Sequence, residues 1–419
     1  MNRGQLAQRI LVLVTLSLVA FGLVMVYSAT SAAAAIGNGD PMTYLKRQGI
    51  YAALGIALML AASRLDNRKL RLLAPPLVLV ALGLCALLVL PPLVGIELAP
   101  EIKGARRWIP LGPASFQPSE LAKVALLLFA AMVLARKGAP RTLGELWRPI
   151  GLLTCVFSAL ILLQPDLGTT ISLVLMLAGM LVVAGVPTRV LAAAGGIAVT
   201  VGLAAIWVEP YRRARVLSFL DPWQDAQGSG FQNVQAIIGM GSGGLTGEGL
   251  GHGIQKINYL PEAHTDMIFA IVGEELGLVG TAAVIAAFGA FAFAGFAVAL
   301  RCRNPFGKLV AAGVTSLVCG QAAVNLAAVM GIAPLTGIPL PFVSYGGSSL
   351  VILLGAVGIV LNIAGDERAP EKRAARRPAL SDRRRRNGGP RPALARGGGS
   401  PARARGGGDV RRVAGSRRG

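Results

Sequence analysis

The chain has 419 residues, of which 54% are hydrophobic and only 15% charged, with a formal net charge of +21 and a mean hydropathy of +0.62. A soluble domain averages about 25% charged residues, so a water-soluble globule is excluded. Apolar runs of about 20 residues recur along the whole length, and the ten-residue alternation of a membrane barrel is absent. The composition therefore predicts an all-α polytopic membrane protein.

The predicted spans are 10–35, 48–63, 73–93, 119–135, 150–164, 167–186, 190–208, 276–300, 308–332 and 341–364, about ten transmembrane helices in all. The first run reads as an uncleaved anchor. Lys and Arg in short loops set the orientation. Arg64, Arg68, Lys69 and Arg71 follow span two, Arg136, Lys137, Arg141 and Arg148 span four, Arg189 span six, and Arg301, Arg303 and Lys308 span eight. With ten spans these loops and both termini share the cytoplasmic side. Basic residues also occur on the other side, among them Lys46, Arg47, Arg106, Arg107, Arg212, Arg213 and Arg215. Their placement against the orientation rule suggests anion binding there.

Between spans seven and eight lies a large extracytoplasmic loop, 209–275, with Phe219, Trp223, Phe231 and Tyr259. Its length and aromatic content predict a folded, functional segment. The Gly239–Gly253 run inside it contains one GxGxxG match, but no strand precedes it and no Walker lysine follows, so it reads as tight turns. From Asp366 onward there are 17 basic and 5 acidic residues with almost no aromatic ones. Residues 366–419 thus read as a disordered cytoplasmic Arg-rich tail attached to a membrane domain over 1–365. Membrane lipid is its simplest partner; no nucleic-acid-binding fold accompanies it. The four cysteines read as buried thiols and not as a disulfide framework.

The improbable polar residues are the informative ones. Glu262, His264 and Asp266 fall together where an apolar run begins, with Thr265 as the expected N-cap of a helix starting at Asp266. Asp266 is either a capping carboxylate or a catalyst. Glu274 and Glu275 would be costly in lipid, so 266–275 is expected as a lead-in helix at the outer surface or dipping into it. Glu120 and Lys123, three apart, share a helix face about one turn inside span four. They form either a structural pair or part of a site. Arg106 and Arg107 beside Trp108, and the run Arg212, Arg213 and Arg215, suit a diphosphate or are plain interfacial charge. Asp166 reads as a turn residue. His252 and His264 lack metal-ligand spacing.

At Tyr259–Gly277, Gly104–Ile109, Phe116–Glu120, Gln164–Gly168, Ser218–Trp223 and Pro339–Ser349 the sequence resembles the SEDS family (shape, elongation, division and sporulation), whose members are FtsW, RodA and SpoVE. The match runs over about residues 10–365, with motifs in the family order, and looks more like the FtsW branch. Met267 departs from the family's usual Phe. The resemblance implies a ten-span fold and peptidoglycan glycosyltransferase activity, polymerising lipid II on the outer face of the cytoplasmic membrane at the division septum. It implies a class B penicillin-binding protein and other divisome membrane proteins as partners. The family's essential aspartate falls on Asp266 and its polar cavity residues on Arg107, Glu120 and Lys123. Asp266 is expected to act as general base or to hold a divalent cation, Mg2+ or Mn2+. Arg107, Lys123, Arg212 and Arg213 are expected to stabilise the leaving diphosphate, with Glu262 and His264 beside the substrate. The rival readings are a lipid II flippase, a non-catalytic division scaffold and a RodA-like elongation polymerase.

Overall fold

The computed structural model describes residues 3–35, 41–93, 106–112, 114–257, 260–261 and 263–366. The tail beyond Asp366 and Glu262 lie outside the described residues. Helices α1 Arg3–Ala35, α2 Pro41–Ala62 and α3 Asn67–Leu93 come first. A small antiparallel hairpin follows, β1 Ile109–Leu111 with β2 Ala114–Phe116, Ile109 facing Phe116. Next come α4 Pro118–Lys137, α5 Leu143–Leu146, a π turn Trp147–Gly151, α6 Leu152–Leu162, α7 Leu167–Ala184 and α8 Thr188–Val208. The large loop contains α9 Pro210–Leu220 and α10 Phe231–Ser242, and the chain closes with α11 Ile268–Arg301, α12 Pro305–Val329 and α13 Gly347–Asp366.

Among the described residues nine helices are long and apolar enough to cross a membrane, which makes this a multi-pass membrane protein. Each coincides with a predicted span. The remaining predicted span is α2, whose 22 residues reach about 33 Å. Its first turns carry Lys46, Arg47 and Gln48, which lower its apolar content. The start signals are ordinary: Pro118, Pro210 and Pro305 open α4, α9 and α12, where a missing N–H costs nothing.

α4, α12 and α13 form the centre, and α8 lies at the periphery with almost none of its span buried. α11 packs along α1 and α12, α12 along α7 and α4, and α2 along α13. Three sequence expectations change. The helix expected at Asp266 begins at Ile268, and Thr265 is not its cap: Met267 occupies the N-cap position, with no side-chain cap bond. A turn over 263–267 therefore carries the aspartate outside the helix. Of the two placements expected for the lead-in, the surface one does not hold; Ile268–Glu275 are all buried in protein, so the carboxylates of Glu274 and Glu275 face protein partners instead of lipid. Span ten starts at Gly347 and not at 341, because the chain turns over 341–344 with Phe342 at φ 66°, outside any helical conformation. Of the cysteines, none in a disulfide, only Cys85 is buried and Cys155 is exposed.

The stretch 331–346 between α12 and α13 has no regular structure, yet Ile338, Leu340, Phe342, Val343 and Ser344 are buried. The Phe342 ring lies 5.9 Å from Phe291 on α11. Irregular backbone at such depth is tolerable only where protein satisfies it. Here Gln48 donates to the Ser344 carbonyl at 3.1 Å, and the Ser344 hydroxyl accepts from the Leu340 N–H at 2.8 Å.

Candidate active site

Asp266 sits half-buried at the end of the bundle where α7, α11 and α13 begin and α12 ends. Its position is fixed through the backbone. Asn325, one turn before the end of α12 and only 2% exposed, donates from Nδ2 to the Asp266 carbonyl at 2.7 Å and to the Ile338 carbonyl at 2.8 Å. One amide thus joins α12, the aspartate turn and the buried irregular stretch. Two residues earlier the His264 carbonyl accepts the Tyr345 N–H at 2.9 Å. The Thr265 hydroxyl lies 3.2 Å from Asp266 Oδ1.

Gly337 forms the wall opposite the carboxylate. It has φ 71°, a backbone that side chains avoid. A Cβ on it would lie 3.9 Å from Asp266 Oδ2 and 3.8 Å from Arg215 Nη1. The carboxylate and a guanidinium therefore meet the same bare backbone. Arg215 is held by the Leu335 carbonyl at 3.3 Å. On the other side of this strand-like segment, Gly168 at the start of α7 abuts Thr336 and Ile338.

The neighbouring α6–α7 turn holds a second set. Asp166 N-caps α7, accepting from the Thr169 N–H at 3.0 Å and the Thr169 hydroxyl at 2.8 Å, and from Gln117 Nε2 at 3.2 Å. It is therefore more than a turn residue. Arg107 donates from Nε to the Gln164 carbonyl at 2.9 Å and from Nη2 to the Pro165 carbonyl. It straps the β1 approach onto that turn.

Glu120 and Lys123 are joined as expected, Nζ to Oε1 at 2.7 Å, with both side chains buried. Glu120 Oε2 has no partner among the described residues, nor have Gln321 Oε1 and Asn325 Oδ1. Leu127 meets Gly313 of α12. From that contact Glu120 lies seven residues back along α4 and Gln321 eight residues forward along α12, the same level to within about 2 Å. A buried polar seam thus leads from Lys123 up to the residue that holds Asp266. Such orphaned oxygens call for ordered water or a ligand hydroxyl.

The remaining candidates separate. Arg212 is used structurally, donating to the Ala205 carbonyl at 3.1 Å and the Leu162 carbonyl at 2.9 Å, where it ties α9 to α6 and α8. Arg213 is exposed. The arginine of that run that comes to the same glycine as Asp266 is Arg215. The His264 ring packs edge-on against Tyr44 at 5.1 Å and lies 5.6 Å from Tyr345, so it builds the wall beside the site. The expected role of Glu262 falls outside the described residues. Asn325 was missed; its signal is an uncharged amide with Gln321 one turn before it inside an apolar run.

Among the described residues no three His, Cys, Asp or Glu side chains converge on a metal position. Asp266, with the adjacent Thr265 hydroxyl, still matches the way Mg2+ is usually held, by one or two carboxylates with substrate phosphates completing the shell. The arrangement as a whole is one carboxylate opposite one guanidinium on a bare backbone wall. It suits deprotonating a hydroxyl next to an anionic leaving group.

A family model described as "Cell cycle protein", covering FtsW, RodA and SpoVE, matches residues 8–369. A probable peptidoglycan glycosyltransferase FtsW of Geobacter sulfurreducens is 42% identical over 356 residues, 85% of this chain and 94% of its own. Among solved structures, a chain of a peptidoglycan synthase complex that coordinates polymerization and crosslinking superposes with a TM-score of 0.69 at 35% identity, covering 85% of this chain and 97% of that one. The Thermus thermophilus rod shape determining protein RodA gives a TM-score of 0.60 at 31% identity, covering 85% and 96%.

Proposed function

The chain belongs to the FtsW, RodA and SpoVE family of cell cycle proteins, and from that membership we propose that it is the peptidoglycan glycosyltransferase of septal wall synthesis. It polymerises lipid II into glycan strands on the outer face of the cytoplasmic membrane. The basic loops between α2 and α3, α4 and α5, and α11 and α12 lie at the end opposite Asp266. The positive-inside rule puts that end, and both termini, in the cytoplasm. Identity to the Geobacter protein named FtsW supports division over elongation.

The observation that carries the mechanism is Asp266, fixed by Asn325 and facing Arg215 across Gly337. The 4-hydroxyl of an acceptor sugar attacks the anomeric carbon of a lipid-linked donor. Asp266 takes the hydroxyl proton as the new C–O bond forms. The bond from the anomeric carbon to the diphosphate breaks, and the lipid diphosphate leaves with the electron pair. A single displacement inverts the centre, from α-linked donor to β-linked product. General-base help of this kind is worth about 10²–10⁴-fold. Arg215 is aimed where charge builds on the diphosphate, and charge stabilisation there lowers the barrier further. Lys123, held by Glu120, offers an ammonium donor from the buried seam. Arg107 shapes the α6–α7 rim. In the alternative form of this step, Asp266 would hold a magnesium or manganese ion, which would supply the activation of the hydroxyl in place of the carboxylate. A class B penicillin-binding protein is the expected partner, supported by the likeness to a peptidoglycan synthase complex.

The test is glycan formation from purified lipid II with and without the cognate penicillin-binding protein. Wild type makes chains, and folded, partner-binding Asp266→Asn makes at least about 100-fold less. Equal polymer from both would sink the base assignment. No polymer from wild type with its partner would return the flippase and scaffold readings.

A further inference from the structure

A second polar cluster lies away from Asp266, where α11 is broken. Gly277 there has φ 62° and ψ −157°, and a Cβ on it would lie 2.4 Å from the Gly247 nitrogen and 2.7 Å from the Leu245 carbonyl. The glycine-rich loop passes through the break. Its backbone replaces the hydrogen bonds that the helix loses. The Glu248 and Gly249 N–H groups donate to the Glu274 and Glu275 carbonyls, both at 3.0 Å. The Leu278 and Val279 N–H groups donate to the Gly244 and Leu245 carbonyls at 3.0 and 3.2 Å.

Two buried carboxylates complete the joint. Glu274 Oε1 accepts from the N–H groups of Ile254 at 2.6 Å and Gln255 at 3.1 Å. Glu275 accepts from Lys256 Nζ at 2.6 Å, with side chains 0% and 2% exposed, and from the Ser28 hydroxyl at 2.6 Å. Lys256 also reaches Ser28 Oγ at 3.3 Å. One ion pair therefore ties the outer loop, α1 and α11 together.

We infer that Lys256 and Glu275 are positioning residues for Asp266, acting through the stretch Ile268–Leu276 as a rod. The inference rests on the glycosyltransferase reading for its catalytic consequence. Nine helical residues hold no stable shape alone, so the pose of this stretch is set by what grips its ends. One end is gripped by Asn325 and the Tyr345 N–H beside Asp266. The other is gripped by the loop, nine residues away along the chain, or about 13 Å. Between the ends the stretch is buried along α1 and α10, which keeps it from bending. Without Lys256 the Glu275 carboxylate keeps a single hydroxyl partner in dry surroundings. Besides taking up a proton, it relieves that by displacing its end of the rod, and the aspartate moves with it. Misplacement of a reacting group by about 1 Å costs on the order of 100-fold in rate.

The experiment compares wild type, Lys256→Met, Glu275→Gln and the double variant, each with the penicillin-binding partner. It reads kcat and KM for lipid II and amide hydrogen exchange over 264–271. Lys256→Met is expected to lower kcat about 10- to 100-fold with KM changed less than about twofold. Exchange at these amides rises, and the double variant recovers only part of the loss, because the unpaired charge is gone but so is the latch. Wild-type kcat and exchange in folded Lys256→Met would overturn the inference, as would a rise in KM alone or a double variant as poor as Lys256→Met. Where Lys256→Met does not fold, Ser28→Ala and the double variant decide. Ser28→Ala should lower kcat measurably at unchanged KM, and an unchanged kcat overturns the inference. If wild type makes no polymer, the glycosyltransferase reading falls, and the exchange comparison alone still decides whether the latch holds the Asp266 turn.

Discussion

Two buried lysine–glutamate pairs of nearly equal length do different things in this bundle. Glu120–Lys123 closes at 2.7 Å within one helix face. Lys256–Glu275 closes at 2.6 Å between a loop and a helix and takes in Ser28, on a third element. The first pair would exist in α4 whatever α4 packed against, and it adds charge to a seam. The second exists only when three distant pieces of chain have met. Distance and burial alone do not tell a pair that furnishes a site from one that fixes the architecture around it.

The contrast breaks most sharply under single truncation. Removing one partner of a buried pair typically costs about 3–5 kcal/mol. Lys256→Met should fall in that range by thermal melting in detergent. Lys123→Met should lie at its lower end, because Glu120 stays in the first turn of α4, where the helix dipole still favours its charge. Equal losses would mean that the two pairs hold the fold alike. Next in size is the neutral double exchange. Lys256→Met/Glu275→Gln should melt near wild type, and a loss equal to the sum of the single variants would show no coupling.

A smaller effect is expected at Asp166, which combines a local cap with one distant contact, from Gln117. Asp166→Ala should cost about 0.5–2 kcal/mol, measured by the same melts. The smallest belongs to Asp225, an exposed and wholly local case. The Ser229 N–H and hydroxyl hold its carboxyl below the usual value of 3.8. A lowered folded-state pKa contributes stability that is present above the unfolded value and is lost as pH falls through the folded one. Melting of wild type and Asp225→Asn should therefore differ slightly above pH 3.8 and converge below it. A difference that grew toward acid would reverse the sign.

Local features were legible in the sequence, and features that depend on meeting were not. The spans followed from apolar run length, and the Glu120–Lys123 bond from its three-residue spacing. Asp266 stood out because a carboxylate opened an apolar run. The choice of Arg212 and Arg213 over Arg215 had no local remedy, since three arginines within four positions look alike until the helix is turned against the bundle. Glu274 and Glu275 left a surface helix and a dipping one both open, because depth was equated with lipid. The loop's N–H groups and Lys256, 19 residues before Glu275, make depth affordable there. Asn325 escaped notice because an uncharged amide in an apolar run raises less alarm than a charge.

The break at Gly277 also has a consequence for the order in which the protein comes into being. Everything that grips the far end of the rod is upstream of it in the chain: Ser28 in α1 and 243–256 in the loop. Synthesis runs from the N-terminus, so this joint has all its parts once Val279 has emerged. Asn325 and Tyr345, which seat the aspartate, come about 50 to 70 residues later, three to fourteen seconds at about 5–20 residues per second. A nascent chain thus carries a clamped rod with an unseated carboxylate, and the wall opposite it at Gly337 is added after the rod is fixed. The reactive geometry is among the last things this molecule acquires.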